Sequence, residues 1–126
     1  MFAVDGADIY ISRGDDASFD VVFTGEDVDP DGNTVYYRVN EIPEDGTPVL
    51  FSIKADTERP RCLVEKELKV YNGFVTIPLE SKDTNYLPFG EYTWDIRLFY
   101  HDIDYFDINT PILPHSLHIL GVVGNV

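Results

Sequence analysis

Cysteine is nearly absent: Cys62 is the only one in 126 residues. One thiol excludes an intramolecular disulfide framework. Cys62 falls on the apolar parity of a predicted strand and reads as a small buried hydrophobe. A catalytic thiol needs a histidine nearby, and the spacing offers none. Cations are scarce too. Nine Lys and Arg stand against 23 Asp and Glu, for a net charge of −14. That balance disfavours nucleic acid, because phosphate contacts need cations, and it disfavours an anionic membrane surface. It suits solubility or a basic partner. No apolar run approaches the roughly 18 residues of a bilayer span, so no membrane insertion is expected. The start, Met1-Phe2-Ala3-Val4-Asp5, lacks a basic region and a long apolar segment, so no signal peptide is expected. Long amphipathic helices, internal repeats and low-complexity tracts are also missing.

What is present is alternation. Apolar residues make up 44% of the chain, enough for one globular domain over 1–126, with a short flexible tail over 121–126. In Leu87–Tyr100, the residues Tyr92, Trp94, Ile96, Leu98 and Tyr100 share one parity, and Glu91, Thr93, Asp95, Arg97 and Phe99 the other. Successive strand side chains point to opposite faces, so this stretch is the predicted central strand. Asp8–Ser12 and Ala17–Phe23 flank the turn residues Arg13-Gly14-Asp15-Asp16 and are predicted to form a hairpin. The Arg13-Gly14-Asp15 triplet spells an integrin-adhesion tripeptide, but a turn explains it fully. Thr34–Val39 and Pro48–Lys54 read as strands, the latter with Val49, Phe51 and Ile53 inward.

Tyr71-Asn72-Gly73-Phe74 carries the strongest local signal. Asn-Gly suits a two-residue turn with positive φ at both positions. Centred there, a hairpin pairs Val70 with Val75 and Leu68 with Ile77, all apolar on one face. Lys66 opposite Leu79 is the exception and is expected to mark where that face reaches solvent. Glu80–Asn85 reads as a polar connection, His101–Leu113 as a loop and His115–Val123 as the last strand, with Leu117, Ile119 and Val123 on one parity. Seven or eight short strands predict an all-β, antiparallel sandwich. Tyr92, just after Leu-Pro-x-Gly, resembles the tyrosine corner of immunoglobulin-like domains, whose hydroxyl bonds back to the preceding connection.

Few residue groups suggest chemistry. Asp27-x-Asp29-x-Asp31-Gly32 matches the start of a calcium loop, since alternate carboxylates can converge on one ion. The match stops there: Arg38 occupies the twelfth position, Pro30 intrudes and no helices flank it. An EF-hand is excluded, leaving a solvated acidic turn or a different calcium loop that serves adhesion. His115 and His118 point to opposite faces of a strand and cannot share a metal. No serine has a nucleophile-elbow context, and no glycine loop cradles phosphate. Tyr105 and Phe106, with Asp104 and its neighbouring aspartates, read either as a loop folded over the sandwich end or as a sugar-stacking platform. The second option would make the chain a carbohydrate-binding module with an aromatic loop over 102–107.

Three pieces together resemble a family. They are Ile9-x-Ile11-x-Arg13-Gly14-Asp15-Asp16-x-x-Phe19, Val49-x-Phe51-x-Ile53-Lys54, and Asp83-Thr84-x-x-Leu87-x-x-Gly90-x-Tyr92-x-Trp94-Asp95-Ile96. They look like the N-terminal, immunoglobulin-like β-sandwich of upper baseplate proteins from tailed phages and prophages of Gram-positive bacteria. The resemblance covers roughly residues 8 to 123. It implies a non-enzymatic structural part of the virion tail, made in the bacterial cytoplasm. Such a part has no cofactor and docks against other tail and baseplate subunits, often within a homo-oligomer, near the receptor-binding apparatus. It carries over no catalytic residues.

Overall fold

The predicted central stretch forms a strand, β8 (Gly90–Phe99), with Tyr92, Trp94, Ile96 and Leu98 buried on one side. The computed structural model describes residues 1–29, 32–55, 62–99 and 115–121, and the backbone of 108–109. Tyr100 lies outside them. β8 sits inside the larger of two sheets. On one side it pairs antiparallel with β5 (Pro48–Lys54), Phe51 opposite Ile96. On the other it pairs antiparallel with β10 (His115–Leu120), Leu117 opposite Tyr92. Outside β5 lies β6 (Cys62–Lys69); outside β10 lie β2 (Asp8–Ser12) and then β1 (Phe2–Asp5). β9 (Ile108–Asn109) adds two rungs at the end of β8. The smaller sheet runs β4 (Thr34–Arg38), β3 (Ala17–Thr24), β7 (Phe74–Leu79).

The all-β sandwich expected from the alternation is therefore the architecture, with departures in detail. β1 and β9 are strands the sequence did not signal, and β9 falls inside the segment expected to be a loop. The connection before β8 carries one helical turn, α1 (Ser81–Thr84). Two pairings are parallel: β2 with β10, and β3 with β4.

Both predicted hairpins need correction. β2 and β3 lie in different sheets, so residues 13–16 form a corner between sheets. Asn72 and Gly73 do take positive φ, 55° and 78°, as a two-residue turn demands. Pairing across them stops at the single bridge Tyr71–Phe74, after which β6 runs into one sheet and β7 into the other. Lys66 does not mark solvent. Its side chain is 14% exposed and its ammonium sits 2.7 Å from the Asp83 carboxylate, which also accepts from the Glu80 amide.

The run β10-β8-β5-β6 makes the body of the larger sheet, and β3 and β7 belong to the smaller one. Tyr92 forms the expected tyrosine corner: its hydroxyl donates to the Pro88 carbonyl at 2.7 Å. The core between the sheets centres on Trp94, which is fully buried. Phe19 of β3 meets the indole edge-on at 5.5 Å between ring centroids, and Phe51 of β5 lies at 6.0 Å. The indole N–H donates to the Ala7 carbonyl at 3.0 Å, so burial leaves no orphaned donor. Ile9, Ile11, Val21, Val49, Ile53, Ile77, Ile96, Leu117 and Ile119 belong to the same buried cluster.

Candidate functional site

Of the three aspartates of the calcium reading, Asp27 and Asp29 lie exposed after β3; Asp31, with Pro30, falls outside the described residues. Asp27 accepts from the Arg38 guanidinium at 3.3 Å. The residue standing where a calcium loop needs a carboxylate thus supplies a cation to the acidic turn. Among the described residues, no three His, Cys, Asp or Glu side chains come together as a metal-binding group. Asp104, Tyr105 and Phe106 also lie outside the described residues.

Cys62 is exposed, contrary to its expected place in the core. A register shift between Ile53 and Lys54 sets Cys62 opposite Lys54, which breaks the parity that pointed it inward. Its thiol lies 3.3 Å from a Glu65 carboxylate oxygen. Partial desolvation pushes the thiol pKa up; Glu65 adds to this, while Ser52 and Lys54 oppose it. Such a thiol is mostly protonated at neutral pH and is a poor nucleophile.

His115 and His118 take opposite faces, as a strand requires. His115 packs inward against Trp94 and Tyr37, at 5.5 and 5.6 Å. His118 lies outward, stacked on Tyr10 at 4.5 Å and beside the Ser116 hydroxyl. The Arg13-Gly14-Asp15 triplet is occupied internally. Arg13 lies over the Phe89 ring, the Gly14 amide donates to the Thr84 hydroxyl at 2.8 Å, and Asp15 pairs with the amino terminus. On the outward face of the larger sheet, Lys54 and Asp95 form a largely buried ion pair at 3.0 Å. The ammonium satisfies one carboxylate oxygen, and Asp95 Oδ1 has no hydrogen-bond partner among the described residues.

Among the described residues, a groove opens at the corner where β6 passes into β7. Leu68, Lys69, Tyr71, Phe74, Val75 and Thr76 line a volume of about 300 Å³. Its walls are mainly apolar, and Tyr71 and Phe74 are 54% and 37% exposed. Ile42, 51% exposed, approaches Gly73 from the neighbouring connection and extends the apolar surface. β6 and β7 are each the outermost strand of their sheet among the described residues, so the groove opens between two edges that no described strand covers. Sequence reasoning missed it by folding 62–79 into one hairpin. The available signal was a pair of large aromatics, Tyr71 and Phe74, on either side of a turn that has to face solvent. No helix among the described residues is long and apolar enough to cross a membrane. Comparison of the chain with protein-family models, with characterised proteins and with solved structures finds no match.

Proposed function

We propose that the chain is a non-enzymatic structural protein of a phage or prophage tail baseplate, which joins other tail subunits near the receptor-binding apparatus. The observation that carries this reading is the meeting of its three resemblance-bearing segments around one indole. Phe19 ends the first, Phe51 lies in the second, and both rings pack on Trp94 of the third. Residues that the likeness picked out as separate short motifs thus make one structural unit, as a shared domain type requires. Two sheet edges unpaired among the described residues and an exposed apolar corner suit a protein that works by docking. Particles released from an induced lysogen and purified by density gradient should contain the chain at a fixed ratio to tail-tube and baseplate proteins, measured by quantitative mass spectrometry. Its absence from intact tails would remove the proposal. A glycan array should show no binding; strong binding that Tyr105→Ala abolishes would point instead to a carbohydrate-binding module.

A further inference from the structure

The corner groove has an open strand on one flank and a guarded one on the other. β7 carries Pro78, which has no amide hydrogen to donate and blunts an edge. β6 runs Leu63-Val64-Glu65-Lys66-Glu67-Leu68-Lys69 without a proline, and its pairing with β5 is regular from Pro48–Lys69 to Ile53–Val64. The outward side chains of β6 are Glu65, Glu67 and Lys69, all exposed; the inward ones are Val64, Lys66 and Leu68. Lys66 is neutralised by Asp83. A strand added beside β6 would set its outward residues next to Glu65, Glu67 and Lys69, two anions to one cation, so cations are favoured beside Glu65 and Glu67. Its other side chains would meet the groove lined by Leu68, Tyr71 and Phe74, where apolar side chains are favoured. More acids border the groove: Asp20, bonded to Thr76 of the lining at 2.6 Å, and Asp45, bonded to the Asn72 amide at 2.8 Å. A second copy is the less suitable occupant, because it brings another net charge of −14.

From this pattern we infer that the groove takes an extended segment of a basic partner protein, with lysines or arginines alternating with apolar residues, added as a strand to the outer edge of β6. The inference rests on the docking role proposed above and specifies its partner chemistry. The probe is a short synthetic peptide alternating lysine and valine around one phenylalanine, with a glutamate-for-lysine counterpart as control. Titrated into isotope-labelled protein, the lysine peptide is expected to shift amides of 63–76 and to bind more weakly as salt is raised. Phe74→Ser and Glu67→Lys, both at exposed positions, should each weaken binding by about tenfold or more. Tyr86→Ser, outside the groove, should leave it unchanged, and melting curves check that the variants fold.

Equal binding of both peptides, shifts confined to other strands, or an unaltered Phe74→Ser titration would overturn the inference. So would a dimer seen by sedimentation that Phe74→Ser dissolves, since the occupant would then be a second copy. The tail reading fails separately. If Phe74→Ser protein still enters purified particles at the normal ratio, the groove is not the docking site but the tail role stands. If the lysine peptide binds while the chain is missing from particles, the groove stands and the tail role falls.

Discussion

Trp94, two residues after Tyr92, is gripped between the sheets by Phe19 of β3 and Phe51 of β5, and the two phenylalanines also meet each other. Each aromatic pair adds about 0.5–1.5 kcal/mol beyond burial, so the three together are comparable to the roughly 2–4 kcal/mol of a disulfide, which a single cysteine cannot form within the chain. Gly14 is a second residue with no substitute. Its φ is +87°, and an added Cβ would come within 2.8 Å of the Asn85 side-chain oxygen. Gly14→Ala should cost about 1–3 kcal/mol in urea unfolding, with part recovered in a Gly14→Ala, Asn85→Ala double variant. His115 gives a pH signature. Burial lowers its pKa from 6.5, against the pull of Asp8. As pH falls below 6.5 the unfolded chain gains a proton there that the folded chain refuses, so this contribution to stability is full above that value and shrinks below it. The urea midpoint should therefore fall more steeply between pH 7 and about pH 5 for the native chain than for His115→Gln.

At the scale of elements, the ion pair under α1 ties an edge strand of one sheet to the connection that leads into β8. With side chains 14% and 9% exposed, Lys66 and Asp83 are nearly out of solvent. Lys66→Met should cost up to about 3 kcal/mol by stranding the carboxylate, whereas Lys66→Met with Asp83→Asn should cost less than the sum of the two single changes. A double-mutant cycle in urea checks this, and Asp83→Asn keeps an oxygen to accept from the Glu80 amide. The same strand shows how far alternation can be read. The boundaries of β5, the inward Val49, Phe51 and Ile53, and the turn at Asn72-Gly73 were all legible, because period and turn chemistry are local. Sheet membership was not. Leu68 and Ile77 face the core equally well as neighbours in one sheet or as opposites across a sandwich, so apolar parity alone cannot separate a hairpin from a corner. The parallel pairs leave no turn signal either, since β2 and β10 are far apart in the chain. Cys62 was misplaced because a register shift changes parity without any mark in composition. Of the residues singled out for chemistry, Asp31, Asp104, Tyr105 and Phe106 lie outside the described residues, and the groove needed both edges in place before it could be recognised.

The whole molecule is governed by its charge. A net charge of −14 on so small a domain means that compact folding works against self-repulsion. Raising sodium chloride from about 0.01 M to 0.15 M shortens the Debye length from about 30 Å to 8 Å, so the melting temperature should rise, as read by scanning calorimetry. A fall would mean that favourable surface pairs outweigh the repulsion. The two largely buried pairs, Lys54–Asp95 and Lys66–Asp83, are shielded from this screening, so the salt response reports the surface acids.

Strands β2 and β10, near opposite ends of the sequence, lie side by side and parallel, with Ile9 to Ser12 in register with Leu117 to Leu120. Tension applied between the two ends would first peel β1, then pull β2 and β10 lengthwise past each other. All rungs of that parallel pair would share the load, where a hairpin would unzip one rung at a time. The topology therefore sets shear across a whole parallel pair, rather than stepwise unzipping, as the response to tension between the two ends.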